Sequence, residues 1–280
     1  MRPAQWAKNG LLFAGLIFGA KLNDPLAVAT AILAAVAFCF LSSGFYLIND
    51  VRDVEADRLH PEKRRRPVAA GEIAPRSALV AGAVCVVAAL ALAAVVGAPF
   101  LAVCVAYAAL MATYNLGLKG IVILDVFAIA AGFALRAVGG AVAVAVSISS
   151  WLLICTVLLA LFLGFGKRRY ELVALLDAGG HRRNLDQYTR PMLDQAIAVT
   201  AAGTLVAYAI YAAGITSAPL HRGMMLTIPF VAYGIFRYLF LLYRRAQGGD
   251  PEIMLFSDRG LLATVVIWAA LSVWALYFGP

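Results

Sequence analysis

The side chains best suited to chemistry lie in the stretch NDVRDVEAD, Asn49 through Asp57. If this stretch is helical, Asp50, Asp53 and Asp57 share one face, and Asn49 lies one turn before Asp53. Carboxylates crowded on one face repel one another unless a cation joins them, and Mg²⁺ is bound through carboxylates, waters and substrate phosphates. The spacing therefore predicts a Mg²⁺ site formed by all four side chains, with the three aspartates as catalytic residues.

A basic run follows these acids and contains Lys63, Arg64, Arg65 and Arg66. Ammonium and guanidinium groups bind phosphate oxygens, and Mg²⁺ held by carboxylates opposite such bases can bind a diphosphate for cleavage. We expect Lys63, Arg64 and Arg66 to contact a substrate phosphate. The alternative is a solvated loop whose charges only set the orientation of the chain in a membrane.

The elements that carry these residues are predicted to be membrane-spanning helices. Hydrophobic residues make up 63% of the 280 residues and charged residues 14%, whereas a soluble domain has about 45–50% and about 25%. A helix needs about 20 apolar residues to cross a bilayer, so an all-α integral membrane protein is predicted, with one domain over residues 2–279. The nine predicted spans are 9–20, 25–48, 76–97, 99–117, 121–145, 149–166, 191–214, 223–243 and 260–279.

The distribution of Lys and Arg predicts the orientation of these spans. Most of them fall in the loops 49–76, 167–191 and 244–259, which lie on one side if there are nine crossings. Cytoplasmic loops carry such an excess, so we expect a cytoplasmic N-terminus, an inner-membrane location and a central polar cavity open to the cytoplasm. Loop asymmetry and contact with anionic membrane lipids account for the net charge of +8, and nucleic acid is not an expected partner.

Taken over its whole length, the chain resembles the UbiA superfamily of intramembrane prenyltransferases. Its NDxxDxxxD stretch is similar to the first aspartate-rich motif of that superfamily, placed after the second helix. A narrower resemblance, to the branch of decaprenyl-phosphate phosphoribosyltransferases, is carried by the segments RPAQWAKN, NDVRDVEADRLHPEKRRRPVAAG, YNLGLKG, GKRRYEL and DPEIMLFSDR.

This resemblance implies a reaction as well as a fold. Phosphoribosyl pyrophosphate would be the donor, bound through Mg²⁺, and a polyprenyl (decaprenyl-type) phosphate would be the acceptor, with its tail in a groove open to lipid. Pyrophosphate would leave, and the product would serve the synthesis of a cell-envelope polysaccharide precursor. The chain length and saturation of the acceptor and the oligomeric state, a homo-oligomer included, stay open.

Further side chains are expected near the substrates. Lysine snorkelling to the interface is the alternative for Lys119, structural pairing with another helix for Arg136, and a helix cap for Asp258. The expected phosphate contacts are Lys8, Tyr114, Lys119, Arg136, Lys167, Arg168 and Tyr188, and the other expected site residues are Asp125, Glu171 and Asp258.

One departure from the superfamily pattern separates two candidate activities. Its aromatic prenyltransferases carry a second DxxxD motif between the sixth and seventh helices, and GKRRYELVALLDAGGHRRNLDQYTR in this chain contains none. A base-rich region suits two phosphorylated substrates better than a prenyl diphosphate and a neutral ring. The alternatives are prenyl transfer to an aromatic acceptor of quinone or haem synthesis, and a non-enzymatic lipid transporter, which leaves the one-sided aspartates unexplained.

Overall fold

The computed structural model describes residues 3–59, 63–178, 185–214, 222–244 and 251–278, and every regular element within them is a helix. The predicted all-α class is therefore confirmed for these residues. The α-helices are α1 (Phe13–Phe18), α2 (Pro25–Arg52), α3 (Val54–Leu59), α4 (Pro75–Val96), α5 (Ala98–Leu116), α6 (Leu124–Ala143), α7 (Ser150–Ala178), α8 (Arg190–Ala212), α9 (Ile228–Arg244), α10 (Pro251–Ser257) and α11 (Arg259–Tyr277). Short 3₁₀ helices cover Pro3–Leu12, Lys63–Arg65, Leu118–Gly120, Leu185–Gln187 and Arg222–Thr227.

Eight helical stretches in the described residues are long and apolar enough to cross a bilayer. They are α2, α4, α5, α6, α8 and α11, the part of α7 that ends at Val173, and α9 together with the 3₁₀ turn before it. Each begins within a few residues of a predicted span, because an uninterrupted apolar run bounded by Pro, Gly or charged residues leaves little freedom in where a span starts.

The predicted end of the span at 149–166 is wrong, because α7 continues to Ala178. The extension carries Lys167, Arg168 and Glu171, which were predicted to lie in the charged loop 167–191. Arg168 forms ion pairs with Asp125 of α6 and with Glu171. Charged residues that are paired in this way can remain on a helix at the edge of the membrane.

The first predicted span, 9–20, is the least regular part of the bundle. Its residues belong to the 3₁₀ helix Pro3–Leu12 and to the short helix α1 and the turn after it, and none of these is among the eight spans. The predicted count of nine crossings is therefore not confirmed. The 3₁₀ helix lies beside α2, where the Trp6 indole N–H donates a hydrogen bond to the Ser43 hydroxyl (3.1 Å).

Close backbone contact holds this N-terminal segment against α6. A Cβ atom at Gly140 would lie 1.9 Å from the carbonyl oxygen of Leu12, and one at Gly15 would lie 2.6 Å from the Cα of Ala141. Small residues permit such contacts between membrane helices, whose association is driven by van der Waals packing. α6 also packs against α2, α5 and α7, so residues that face inward from α6 become buried.

Replacing Gly140 with alanine is expected to destabilise the protein. The added Cβ would meet the backbone of Leu12, which cannot move without shifting the whole segment, and overpacking of this kind costs about 1–3 kcal/mol. We expect a lower midpoint of thermal unfolding in detergent for Gly140→Ala than for the wild type. Gly10→Ala is the matched control, since nothing lies within 4 Å of a Cβ at Gly10, and equal midpoints for the two variants would contradict this packing.

Candidate active site

A cavity of about 440 Å³ is lined by the N-terminal 3₁₀ helix, α2, α3, α5, α6, α7 and α10. This volume lies within the usual range of small-molecule sites, about 300–1,000 Å³. The candidate residues that line the cavity are Lys8, Asn49, Asp53, Asp57, Lys63, Arg66, Tyr114, Lys119, Arg136, Lys167, Arg168 and Glu171. The candidate residues outside its wall are Asp50, Arg64, Asp125, Tyr188 and Asp258.

A nearly continuous helix places the amide and two of the acids on the wall. α2 ends at Arg52 and α3 begins at Val54, but hydrogen bonds of helical spacing continue across the junction. The Asp53 N–H donates to the Asn49 carbonyl (2.9 Å), and the Asp57 N–H donates to the Asp53 carbonyl (2.8 Å). Asn49, Asp53 and Asp57 consequently line the same cavity.

Arg66 neutralises two of the acids. Its Nη1 donates to Asp57 Oδ2 at 2.6 Å and lies 3.3 Å from Asp50 Oδ1. Asp50 and Asp57 are only 5% and 4% exposed, so a charge-assisted contact is needed to offset their loss of hydration. The predicted four-ligand group is therefore divided: Asp50 turns to Arg66 beside the cavity, while Asp57 contacts Arg66 and also reaches the wall.

Lys119 neutralises the third acid from a different part of the chain. It lies in the 3₁₀ turn between α5 and α6, and its Nζ donates to Asp53 Oδ1 at 2.5 Å and to Asn49 Oδ1 at 3.4 Å. Lys119 therefore lies on the cavity wall in contact with the acidic face. The acids at the end of α2 are therefore surrounded by cations from two other segments.

A second ionic network lies between the start of α6 and the extension of α7. Arg168, which is 6% exposed, contacts Asp125 Oδ2 through Nε (2.7 Å) and Glu171 Oε2 through Nη1 (2.5 Å). Asp125 is completely buried and also accepts a hydrogen bond from the Val126 N–H (2.9 Å). This network fixes Arg168, which lines the cavity, to α6.

Tyr188 supports this network from outside the cavity wall. Its hydroxyl donates to Asp125 Oδ1 (2.9 Å) and accepts from the Ile123 N–H (2.6 Å), where the backbone of Ile123 has a φ of 71°. Burial raises the pKa of Tyr188 to about 12, so the hydroxyl is a donor at neutral pH. Tyr188 was predicted to contact a phosphate directly, but this geometry makes it a residue that positions Asp125 and, through it, Arg168.

Asp258 has the capping role that was the alternative for it. It precedes α11, and its Oδ1 accepts from the Leu261 N–H (2.9 Å). Both of its carboxylate oxygens also accept from Arg237, at 3.1 and 2.8 Å, and this hydrogen bonding lowers the pKa of Asp258 to about 2. Arg64, another candidate, is exposed and lies away from the cavity.

Several wall residues were missed in the sequence. Ser42 and Tyr46 precede Asn49 by two and one helical turns, so extending the acidic face backwards along α2 would have found them. Tyr107 is a polar aromatic residue within an apolar span, a feature that predicts a place on the cavity wall less strongly. Leu255 of α10 belongs to the segment DPEIMLFSDR, which the resemblance marked, but an apolar side chain next to α11 did not by itself predict a place on the wall.

The donor atoms on the wall fit Mg²⁺. Asn49, Asp53 and Asp57 supply amide and carboxylate oxygens, the hard ligands that this cation prefers. Within the described ranges, no three His, Cys, Asp or Glu side chains lie close enough to hold a metal by themselves. These side chains therefore suit a cation that takes its remaining ligands from waters and substrate phosphates, which is the usual arrangement for Mg²⁺.

Fold and cavity together define a class of intramembrane transferase. The UbiA prenyltransferase family model matches residues 10–258, and the chain belongs to this family. A UbiA homologue from Archaeoglobus fulgidus, solved with GPP and Mg²⁺, has a TM-score of 0.77 at 19% identity, covering 98% of this chain and 97% of that one. A UbiA homologue from Aeropyrum pernix K1 has a TM-score of 0.67 at 18% identity, covering 97% and 98%. The fold implied by the sequence motifs is thereby confirmed.

The more similar relatives belong to one branch of the family. The chain is 33% identical over 288 residues to decaprenyl-phosphate phosphoribosyltransferase of Corynebacterium glutamicum, covering 100% of this chain and 86% of the relative. It is 32% identical over 284 residues to the protein of the same name from Mycobacterium tuberculosis, covering 100% and 93%. The narrower resemblance carried by the motifs is confirmed as well.

Replacing Tyr188 with phenylalanine is expected to lower stability in a pH-dependent way. Among the described residues, the change leaves the Ile123 N–H without a partner and removes one of the two hydrogen bonds that Asp125 Oδ1 accepts, and an unmet buried group costs about 1–3 kcal/mol. Since the pKa of Tyr188 is raised from 10.0 to about 12, the wild-type advantage is complete below pH 10 and is lost as the pH rises towards 12. The difference in unfolding midpoint between wild type and variant should be constant up to about pH 9 and narrow above it. No difference at neutral pH would contradict the positioning role.

Proposed function

We propose that this chain transfers the 5-phosphoribosyl group of phosphoribosyl pyrophosphate to a polyprenyl (decaprenyl-type) phosphate, for the synthesis of a cell-envelope polysaccharide precursor. An oxygen of the lipid phosphate forms a bond to the anomeric carbon of the ribose. The bond from that carbon to the pyrophosphate oxygen breaks, and pyrophosphate leaves with the electron pair. The product is a polyprenyl-phosphoryl-5-phosphoribose, so the enzyme is a pentosyltransferase within a family of prenyltransferases.

The observation that carries this proposal is the number of cations on one cavity wall. Two phosphorylated substrates bring negative charge to both reaction partners, whereas a prenyl diphosphate and a neutral ring bring it to one only. The names of the relatives support the same conclusion. The cations come from five separate segments and are Lys8, Lys63, Arg66, Lys119, Arg136, Lys167 and Arg168.

Asn49, Asp53 and Asp57 would hold Mg²⁺, which when bound supplies positive charge to the departing pyrophosphate. Lys119 and Arg66 already contact these acids and are therefore within reach of a diphosphate that binds beside them. The carboxylates in turn stabilise positive charge on the anomeric carbon as the pyrophosphate departs.

The apolar part of the wall suits the isoprenoid tail. Ile129 and Phe133 of α6, Ala160 and Leu163 of α7 and Leu255 of α10 lie on the same cavity as the charged residues. A lipid phosphate can therefore approach the polar end of the cavity while its first isoprene units remain among apolar side chains. We assign the acceptor to this side and the water-soluble donor to the side of the acids.

Residues 3–18 are proposed to make a ninth crossing. A 3₁₀ helix rises about 2.0 Å per residue and an α-helix about 1.5 Å, so ten residues of the first and six of the second extend about 29 Å. That length is close to the hydrocarbon thickness of a bilayer, about 30 Å. With nine crossings the N-terminus and the cavity face the cytoplasm, the C-terminus lies outside, and the protein belongs in the inner membrane.

Product formation in detergent from labelled phosphoribosyl pyrophosphate and a polyprenyl phosphate tests the function. We expect lipid-extractable label with Mg²⁺, none with EDTA, and a rate at least about a hundredfold lower for Asp53→Asn, which loses a carboxylate from the metal site. Arg169→Gln is the matched control, because Arg169 pairs with Asp194 (2.6 Å) and neither residue lines the cavity. It should retain the wild-type rate.

Label that stays in the water phase under every condition would contradict phosphoribosyl transfer. Prenylation of an aromatic acid by the same preparation would instead favour the alternative of quinone or haem synthesis. Movement of lipid between vesicles without any new product would favour a transporter.

Reporter fusions at the two termini test the ninth crossing. An odd number of crossings places the termini on opposite sides of the membrane. Alkaline phosphatase folds to its active form only outside the cytoplasm, so we expect activity from a fusion after residue 280 and none from a fusion before residue 1. Equal activity from the two fusions would show an even number of crossings and contradict the proposal.

A further inference from the structure

Arg136 is a buried cation in the middle of a membrane helix. It is 4% exposed, lines the cavity, and follows the start of α6 at Leu124 by about 18 Å along the helix axis. A charge at such depth is costly, and it is normally paired or turned towards a polar cavity. The partners of this guanidinium therefore indicate what the surrounding cavity accommodates.

Within the described part of the chain, neutral groups hold Arg136. Its Nε donates to Asn9 Oδ1 (2.8 Å), Nη1 to the Gly132 carbonyl (2.9 Å) and Nη2 to the Tyr107 hydroxyl (2.8 Å). The rings of Tyr107 and Phe133 lie 4.8 and 5.6 Å from its Cζ, close enough for cation–π attraction. Among the described residues, no carboxylate forms an ion pair with it, unlike Arg66, Lys119 and Arg168.

The described residues do not accept from every N–H group of this guanidinium. A guanidinium has five N–H groups, and the three hydrogen bonds leave one on Nη1 and one on Nη2. A phosphate can accept from two N–H groups of one arginine at once. Gly132 keeps the neighbouring space free, since a Cβ there would lie 3.5 Å from Nη1.

The Arg136 group lies at a different depth from the acids of α2. Asn9 accepts from Arg136 and donates to the Ser42 hydroxyl at 3.4 Å, so these three residues share one level of the bundle. Asn49 is seven residues further along α2 than Ser42, which corresponds to about 10 Å. An anion bound at Arg136 is therefore separate from a diphosphate bound near Asn49.

We propose that Arg136, Asn9 and Tyr107 form a metal-independent subsite for a phosphate monoester. The inference rests on the proposed function, in which two monoesters are present: the 5-phosphate of the donor and the head group of the lipid acceptor. Binding one of them here while the acids hold the pyrophosphate orients the reacting atoms from two ends. A prenyl diphosphate and a neutral aromatic acceptor bring no such second phosphate, so the subsite also selects between substrates.

Equilibrium binding in EDTA tests the subsite without turnover. The probes are ribose 5-phosphate and farnesyl phosphate, and ribose and farnesol are their phosphate-free counterparts. We expect at least one of the two phosphates to bind the wild-type protein, and to bind Arg136→Gln at least about tenfold more weakly. The probe that loses affinity identifies which substrate occupies the subsite.

Two further variants make the result decisive. Arg136→Lys retains the buried charge and so limits any loss of folding, but its ammonium lacks the planar pair of donors, and we again expect binding to weaken by about tenfold. Arg169→Gln removes an arginine outside the cavity and should bind as the wild type does. The proposal is overturned if neither phosphate binds without Mg²⁺, or if folded Arg136 variants bind both as tightly as the wild type.

The transfer assay and this binding experiment can refute the proposed function and the proposed subsite independently. Arg136-dependent binding without any phosphoribosyl transfer would refute the proposed function and leave the subsite standing. Transfer at the wild-type rate by folded Arg136 variants with unchanged binding would refute the subsite and leave the function standing.

Discussion

Charge compensation within an apolar bundle is the constraint on which this structure depends. Asp50 and Asp57 are almost fully buried, and removing one member of such a pair leaves a buried charge that costs several kcal/mol. Arg66 contacts both acids and is separated from them by 16 and 9 residues along the chain. Lys119 contacts Asp53 across a separation of 66 residues. The contacts that offset the charge of the acids therefore also bring the separate segments of the site together.

Polarity changes in steps from one end of the cavity to the other. At the end of α2, acids and cations are mixed, which suits the metal-bound diphosphate proposed for this end of the cavity. Arg168, between α6 and α7, is held by two carboxylates. Arg136, deeper in the bundle, has only neutral partners among the described residues. Its positive charge is therefore less compensated than the charges of Arg168 and of the cations at the end of α2. We expect such a gradient to draw the proposed anionic substrates inward.

How far the fold and the site could be predicted differs from element to element. α2 and α4 begin within a residue of their predicted starts, since an apolar run with a proline at its edge specifies both the helix and its first turn. Hydropathy alone placed the end of α7 too early. The helix continues through Arg168, whose charge is neutralised by Asp125 and Glu171. Hydropathy also did not predict the 3₁₀ helix Pro3–Leu12, whose last residue lies in close backbone contact with α6.

The sequence by itself determined that the chain spans a membrane as helices, that the acids of NDVRDVEAD share a helical face near the end of the second long apolar run, and which family the motifs belong to, because apolar length and helical spacing are local properties. Only the tertiary structure decided that Asp50 turns to Arg66, that Tyr188 supports Asp125 instead of lining the cavity, and that Arg136 is left with neutral partners. Those outcomes depend on which distant segments meet, and pairing between distant segments leaves no periodic signal in the chain.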